Sequence, residues 1–255
     1  MTVQVDPPFG AGPPALGPSL SRMCGRYVSA SKPADIAAYF DAQPDDDLEC
    51  EPSWNVAPTS DVLVVGERLV EDTGDRHRAI QVARWGLVPF WARDPSIGNR
   101  MINARAESVG TSNAYKRSFE RRRCIVPADG FYEWTKREGQ QRKQPWLIRR
   151  RDGEPLAFAG LWDTWRDAEG HRLRSCVIIT CPANDEILEL HDRMPVILAE
   201  SEWAEWLDPE NRDVARLHNL LVSAPTGLLD LFPVSTDVNN VRNNGPHLVD
   251  PVDPD

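Results

Sequence analysis

The chain lacks every common metal-site pattern. Its 255 residues contain no CxxC pair, no HExxH and no Asp-rich loop, so the usual arrangements for structural zinc or calcium are missing. There is no Walker loop, no GxGxxG and no GxSxG, which removes the sequence handles for a nucleotide, a dinucleotide or a serine hydrolase. Five cysteines, odd in number and widely spaced, do not make a disulfide framework and fit a reducing cytoplasm. No apolar run approaches the roughly 20 residues needed to cross a bilayer. The first 22 residues, MTVQVDPPFGAGPPALGPSLSR, have neither the basic start nor the unbroken apolar stretch of a secretory signal. The expectation is a cytoplasmic monomer with no cofactor, no metal and no membrane partner.

What is present is ordinary in bulk and uneven in detail. Hydrophobic residues are 41% and charged residues 27% of the chain, as in soluble globular proteins. The net charge of −10 argues against a nucleic-acid binder. Its distribution argues less firmly, because residues 76–200 hold 22 Lys and Arg against 16 Asp and Glu, whereas residues 35–75 carry −11. On charge alone the central excess reads as solvated surface, with a local basic groove as the alternative. Nine tryptophans are a high count, and core packing is the default account of them.

Residues 1–22 are rich in Pro, Gly and Ala without periodicity and read as a disordered extension. Residues 241–255 read as a flexible acidic tail, and residues 23–240 as one domain without repeats. Apolar spacing suggests helices over 34–40, 184–190 (with Asn184 as its cap), 202–207 and 214–222. Residues 62–65 and 79–85 suggest a hairpin, residues 124–127 and 131–134 strands around a turn at 128–130, and residues 146–148, 156–159 and 175–180 further strands. The fold class expected is α+β, a single domain around a curved, barrel-like antiparallel sheet with flanking helices.

Met23-Cys24-Gly25-Arg26-Tyr27 is the most informative segment. Internally, Cys24 reads as a small buried hydrophobe. At a mature N-terminus it carries a thiol of reference pKa about 8.5 and an α-amine of about 7.7–8.0, both partly reactive near neutral pH. Such an aminothiol condenses with an aldehyde to an imine, and the thiolate then closes a five-membered thiazolidine. An amide nitrogen blocks that closure, so the chemistry requires residues 1–23 to be absent, and the expected translation start is Met23. Asn103-Ala104-Arg105-Ala106-Glu107 alone reads as a polar turn, or as an orienting amide beside a guanidinium fork for phosphate. Glu133, between Tyr132 and Trp134, points away from both if the segment is a strand; solvent exposure is the common case, and an apolar wall would make it a proton donor near neutral pH. His191, in His191-Asp192-Arg193-Met194-Pro195, is a candidate proton shuttle. Trp91 lies in an aromatic stretch between Arg84 and Arg93, where rings interleaved with arginine suit base stacking.

Seven segments, taken in order, resemble the SRAP family (SOS response-associated peptidase, the abasic-site processing proteins): 23–27, 54–59, 85–89, 103–107, 123–134, 158–162 and 191–195. The resemblance implies an α+β domain that binds abasic sites in single-stranded DNA and links covalently to the exposed sugar aldehyde through a thiazolidine. It implies that Cys24 supplies amine and thiol, Glu133 acts as general acid/base, His191 shuttles a proton and Asn103 orients the sugar or catalytic groups. It also implies that Arg26, Arg105 and Arg193 hold phosphates and that Trp91 stacks or wedges beside a base. The basic groove then becomes the better reading of the central charge. The alternative is a thiol autopeptidase with Cys24 as nucleophile, His191 as base and Asn103 as orienter; a non-catalytic single-strand binding module is a third reading.

Overall fold

The computed structural model describes residues 25–45, 48–70, 73–136 and 143–253. Cys24 and the extension before it lie outside the described residues. In chain order the strands are β1 (Tyr27–Ser29), β2 (Gln43–Pro44), β3 (Ser53–Val56), β4 (Asp61–Leu69), β5 (Arg76–Trp85), β6 (Asn103–Arg105), β7 (Arg123–Ala128), β8 (Gly130–Thr135), β9 (Gln144–Arg150), β10 (Leu156–Arg166), β11 (Arg172–Pro182), β12 (Arg193–Pro195) and β13 (Leu229–Pro233). The helices are α1 (Pro33–Tyr39), α2 (Ala106–Val109), α3 (Lys116–Arg121), α4 (Asp185–Leu188), α5 (Glu200–Leu207) and α6 (Val214–Asn219).

Strands β11, β10, β7, β4 and β5 neighbour one another in that order, antiparallel throughout. β5 then returns beside β11 in parallel, Arg84 to Ser175 and Trp85 to Cys176. A five-stranded barrel closes in this way, and no long edge of it is left open. The runs Val62-Leu63-Val64-Val65 and Leu156-Ala157-Phe158-Ala159 are buried on both faces, as befits strands with a barrel core on one side and helices on the other. Outside the barrel, Phe40 after α1 packs on Trp203 of α5 at 4.6 Å between ring centres. Trp206 Nε1 donates to the Cys124 carbonyl at 2.8 Å, fixing α5 to β7. Gly160 lets β10 approach β7 and β11, because a Cβ there would lie 3.0 Å from Cys124 Sγ and 3.2 Å from the Val177 carbonyl oxygen.

A second sheet runs β13-β9-β8-β1-β3. The turn expected at 128–130 exists, but its flanking strands do not pair: β7 belongs to the barrel and β8 to the second sheet. Asp129 holds this corner by accepting from the backbone N–H groups of Ala30 (2.5 Å) and Ser31 (2.9 Å). Asn184 caps α4 as expected, its Oδ1 accepting from Ile187 N at 3.0 Å. Two helices end earlier than their apolar patterns suggest, α4 at Leu188 and α6 at Asn219, because Leu190, Leu220 and Leu221 bond three residues back and tighten the chain into turns.

The expectation of a flexible tail is corrected over residues 241–253. Leu248 is fully buried beside Val28, Tyr132 and Val238, Pro251 bridges to Val234, and Asn244 Oδ1 accepts from Trp54 N at 2.8 Å. Prolines and asparagines that read as a loose end instead shape a strap across the second sheet.

Candidate functional site

Gly25 is the first described residue and follows Cys24 directly. Tyr27 pairs with Phe131 and Val28 with Gly130, and Tyr132 N donates to the Arg26 carbonyl at 3.0 Å. Continued by two residues, this antiparallel register sets Gly25 opposite Glu133. The Glu133 side chain shares a face with Phe131, whose ring packs on Phe158 at 5.9 Å. Tyr132 faces the other way, into the second apolar cluster with Trp134 against it. Glu133 is only 2% exposed. It is a buried carboxyl facing the core, the uncommon outcome of the two the sequence left open.

Asn103 and Arg105 lie on β6, a strand rather than the polar turn that local chemistry suggested. They pair with Ile178 and Thr180 of β11. On the other flank of β11, Thr180 pairs with Pro195 and Pro182 with Arg193. The end of β11 therefore gathers the Asn103–Glu107 and His191–Pro195 segments, which are far apart in sequence. Arg193 crosses this end: its guanidinium bonds both oxygens of Glu107 (2.5 and 2.9 Å) and the Thr180 carbonyl (2.6 Å). That bond, first among several causes, holds the Glu107 carboxyl below the usual range. The fork of Arg193 is thus occupied by a carboxylate. Arg105 is exposed.

His191 follows α4, with its N–H bonded to the Ile187 carbonyl at 2.9 Å. Its side chain is 10% exposed. Nδ1 lies 3.0 Å from Arg193 N and 3.0 Å from Asp192 Oδ1. A backbone N–H donor and a carboxylate acceptor therefore both face Nδ1.

The two halves of the site meet through the core. Tyr27 of β1 packs edge-on against Trp85 at 5.2 Å, and Trp85 Nε1 donates to the carbonyl of Ile102, next to Asn103, at 2.9 Å. Arg26 leaves along the opposite face. Its Nη1 donates to Asn55 Oδ1 (2.6 Å) and to the Val238 carbonyl (2.9 Å), and its guanidinium lies 5.9 Å from the Trp134 ring centre. Asn55, given no role by sequence reasoning, donates from Nδ2 to the carbonyls of Val238, Asn240 and Asn243 and anchors the C-terminal strap. A cleft of about 590 Å³ opens beside Trp134, lined by Lys143, Thr236, Asn239 and Asn243 among others.

Of the nine tryptophans, Trp91 is the exposed one, at 51%. It sits in a loop pinned by Asp163, which accepts from Phe90 N at 3.0 Å and pairs with Arg122, and by Trp165, whose Nε1 donates to the Ala92 carbonyl at 2.7 Å. Burial raises the four described thiols, pushing Cys176 up to about 12, Cys181 up to about 11, and Cys50 and Cys124 upward. None of these is an activated nucleophile near neutral pH. Asp167, Glu169 and His171 bring ligand-type atoms within 4.8 Å of one another in the exposed turn after β10; there Asp167 bonds both His171 N (2.7 Å) and Nδ1 (2.8 Å).

The family model for the SOS response associated peptidase (SRAP) matches residues 23–241. The chain is 40% identical over 229 residues to the abasic site processing protein YoqW of Bacillus subtilis, covering 89% of this chain and 99% of that one. It is 32% identical to the abasic site processing protein YedK of Escherichia coli, over 90% and 100% of the two chains. It is 34% identical to the abasic site processing protein HMCES of Rattus norvegicus, covering 91% of this chain and 76% of the relative. Among solved structures, a protein from Bacteroides thetaiotaomicron superposes with a TM-score of 0.76 at 24% identity, over 90% of this chain and all of that one. A phage-related protein of Bordetella bronchiseptica does so at 0.62 and 31% identity, over 83% and 94%. The match spans both halves of the site, from the segment before β1 to the strap beyond β13, and the chain belongs to the SRAP family.

Proposed function

We propose that this protein binds abasic sites in single-stranded DNA and captures the exposed sugar aldehyde as a thiazolidine on Cys24. The observation that carries the reading is the register of β1 against β8, which sets the residue next to Cys24 opposite a buried glutamate. The family match supports it: its span begins at Met23, and the relatives are named as abasic site processing proteins.

The chemistry balances with residues of this chain. The free α-amine of Cys24 attacks C1′ of the ring-opened sugar to give a carbinolamine. Loss of one water leaves an imine, and the Cys24 thiolate adds to the imine carbon as the nitrogen takes up a proton. One aldehyde and one aminothiol give one thiazolidine and one water. Glu133 donates the proton that lets hydroxide leave as water and accepts one when the amine attacks. His191 moves a proton at the sugar oxygen during ring opening, and reverses it when the link is undone. Asn103 orients the sugar, Arg105 takes a flanking phosphate, and Trp91 stacks on a base. Arg26 and Arg193 act on phosphate only through the hydrogens left by their protein partners. All of this requires an N-terminal Cys24, reached by translation from Met23 with removal of that methionine, or by cleavage of the chain after Met23.

The test incubates the chain begun at Met23 with single-stranded DNA carrying an abasic site. A denaturation-resistant adduct is expected, absent for Cys24→Ala and absent when the α-amine is acetylated. A thiol peptidase needs no free α-amine, so cleavage activity that survives acetylation, with no adduct formed by the unblocked protein, would favour that reading instead.

A further inference from the structure

We propose that the barrel carries a second site, at the start of β11, for a small free nucleotide such as a nucleoside monophosphate. Two adjoining cavities form it. One, of about 220 Å³, is lined by Val64, Gln81, Cys124, Trp162 and Arg174 among others. The other, of about 330 Å³, is lined by Asp61, Val82, Arg84, Thr164, Arg172 and Arg174 among others. Arg174 borders both, and Gln81 and Val82 are consecutive on β5. Strand register explains the first cavity. Val64 pairs with Gln81, Gly66 with Ala79, and Thr164 with Arg174, and paired residues share a face of the sheet. The second cavity lies at the seam where the barrel closes. β5 and β11 pair at Arg84–Ser175 and Trp85–Cys176, and Val82, Arg172 and Arg174 come just before that ladder begins.

The charges here are unanswered. Three arginines line the second cavity against one carboxylate, Asp61. Among the described residues none of the three has an ion-pair partner. Arg84 Nη2 donates to Asn99 Oδ1 at 2.7 Å, while Arg84 Nη1 and Arg174 Nε are buried with no acceptor. Glu67, which also borders the first cavity, is taken by Arg78 at 2.7 Å. Buried donors are almost always paired, and a bound anion would supply what these lack. Guanidinium forks and the Thr164 hydroxyl match a phosphate. The Trp162 ring offers a wall for stacking a base, and the Gln81 amide offers a donor and an acceptor to the base edge. Together the cavities reach the size of small-molecule sites, about 300–1,000 Å³. Arg174 precedes Thr180 by six residues on β11, about 20 Å of extended strand, so this site is separate from the one gathered at the other end of β11. A phosphorylated strand end carries the same chemistry, and competition separates the two sources.

The test titrates the full 255-residue chain with AMP, GMP, CMP and UMP by calorimetry. At least one is expected to bind once per chain and to raise the thermal midpoint by mass action. The matching nucleoside and inorganic phosphate are each expected to bind at least about tenfold more weakly, because each loses the contacts of one cavity. Arg174→Gln is expected to weaken the nucleotide about tenfold or more, through loss of charge-assisted bonds. A Cβ at Gly66 meets nothing within 4 Å, so Gly66→Leu is expected to fold normally and to exclude the base, lowering nucleotide affinity at least about tenfold with phosphate affinity unchanged. Circular dichroism and thermal melting confirm that each variant is folded. Adduct formation by chains begun at Met23 is expected to be the same with either substitution. A 5′-phosphorylated oligo-dT is expected not to displace the nucleotide; displacement would give the site to a strand and overturn the proposal. Failure of all four nucleotides to bind, equal binding of inorganic phosphate, or parental affinity in both variants would also overturn it, and each of these leaves the capture reading intact.

Discussion

Glu133 and His191 illustrate how far single residues can be read before the chain is folded. Alternation along a strand separates Glu133 from its aromatic neighbours, but its burial, at 2% exposed, depends on what covers that face, which no local pattern announces. Glu133→Gln keeps size and burial and removes the exchangeable proton. It is expected to slow adduct formation by about 10²–10⁴-fold with the fold intact, the range of general acid–base contributions, as read by quenched time courses on denaturing gels. Arg193 shows the opposite lesson. The sequence offers it to phosphate, whereas the structure gives its fork to Glu107. That partnership depresses the Glu107 pKa in the folded state. Its stabilisation is therefore present above the ordinary carboxyl range and is lost as pH falls through the lowered value. The pair is half-exposed, so Glu107→Gln is expected to cost under about 1 kcal/mol at neutral pH, and melting curves of parent and variant should converge in acid.

At the scale of elements, the long strands are legible in the sequence and the short ones are not. The runs at 62–65, 79–85, 156–159 and 175–180 carry enough apolar residues to declare themselves, and all lie inside strands. β1, β6 and β12 have three residues each, too few for a period, and they exist because β8 and β11 offer them partners. These are also the strands that deliver Gly25, Asn103 and the stretch after His191, so the site is legible as motifs and illegible as geometry. Asp163, which links loop to helix, gives no signal beyond a charge within an apolar strand. Asp163→Ala leaves the Arg122 guanidinium and the Phe90 N–H without their partner. It is expected to lower stability by about 1–3 kcal/mol in urea titrations, and to weaken single-strand binding by loosening the aromatic loop.

For the whole molecule, two features are hidden in the sequence. The barrel closes through a parallel contact of two residue pairs between β5 and β11, a pairing that no local pattern announces. The C-terminal strap reads as a loose tail because its anchors, the Trp54 backbone N–H and the side chains of Asn55 and Tyr132, lie far upstream. Deleting residues 241–255 is expected to lower the thermal midpoint by about 5 °C or more, since burial of one leucine contributes about 1.5–3 kcal/mol and the strap carries further bonds. An unchanged midpoint would show the strap to be dispensable. The acidic net charge and the basic middle of the chain are reconciled if the strand runs over the arginine-bearing face. What joins these scales is the nitrogen of Cys24, which is an amine in a chain begun at Cys24 and an amide in the full 255-residue sequence. Intact mass spectrometry of the protein from its native locus, before and after incubation with abasic single-stranded DNA, tests this most directly. The expected result is a chain beginning at Cys24 that gains the mass of the DNA less one water; a chain still beginning at Met1 that forms the same adduct would contradict the thiazolidine mechanism.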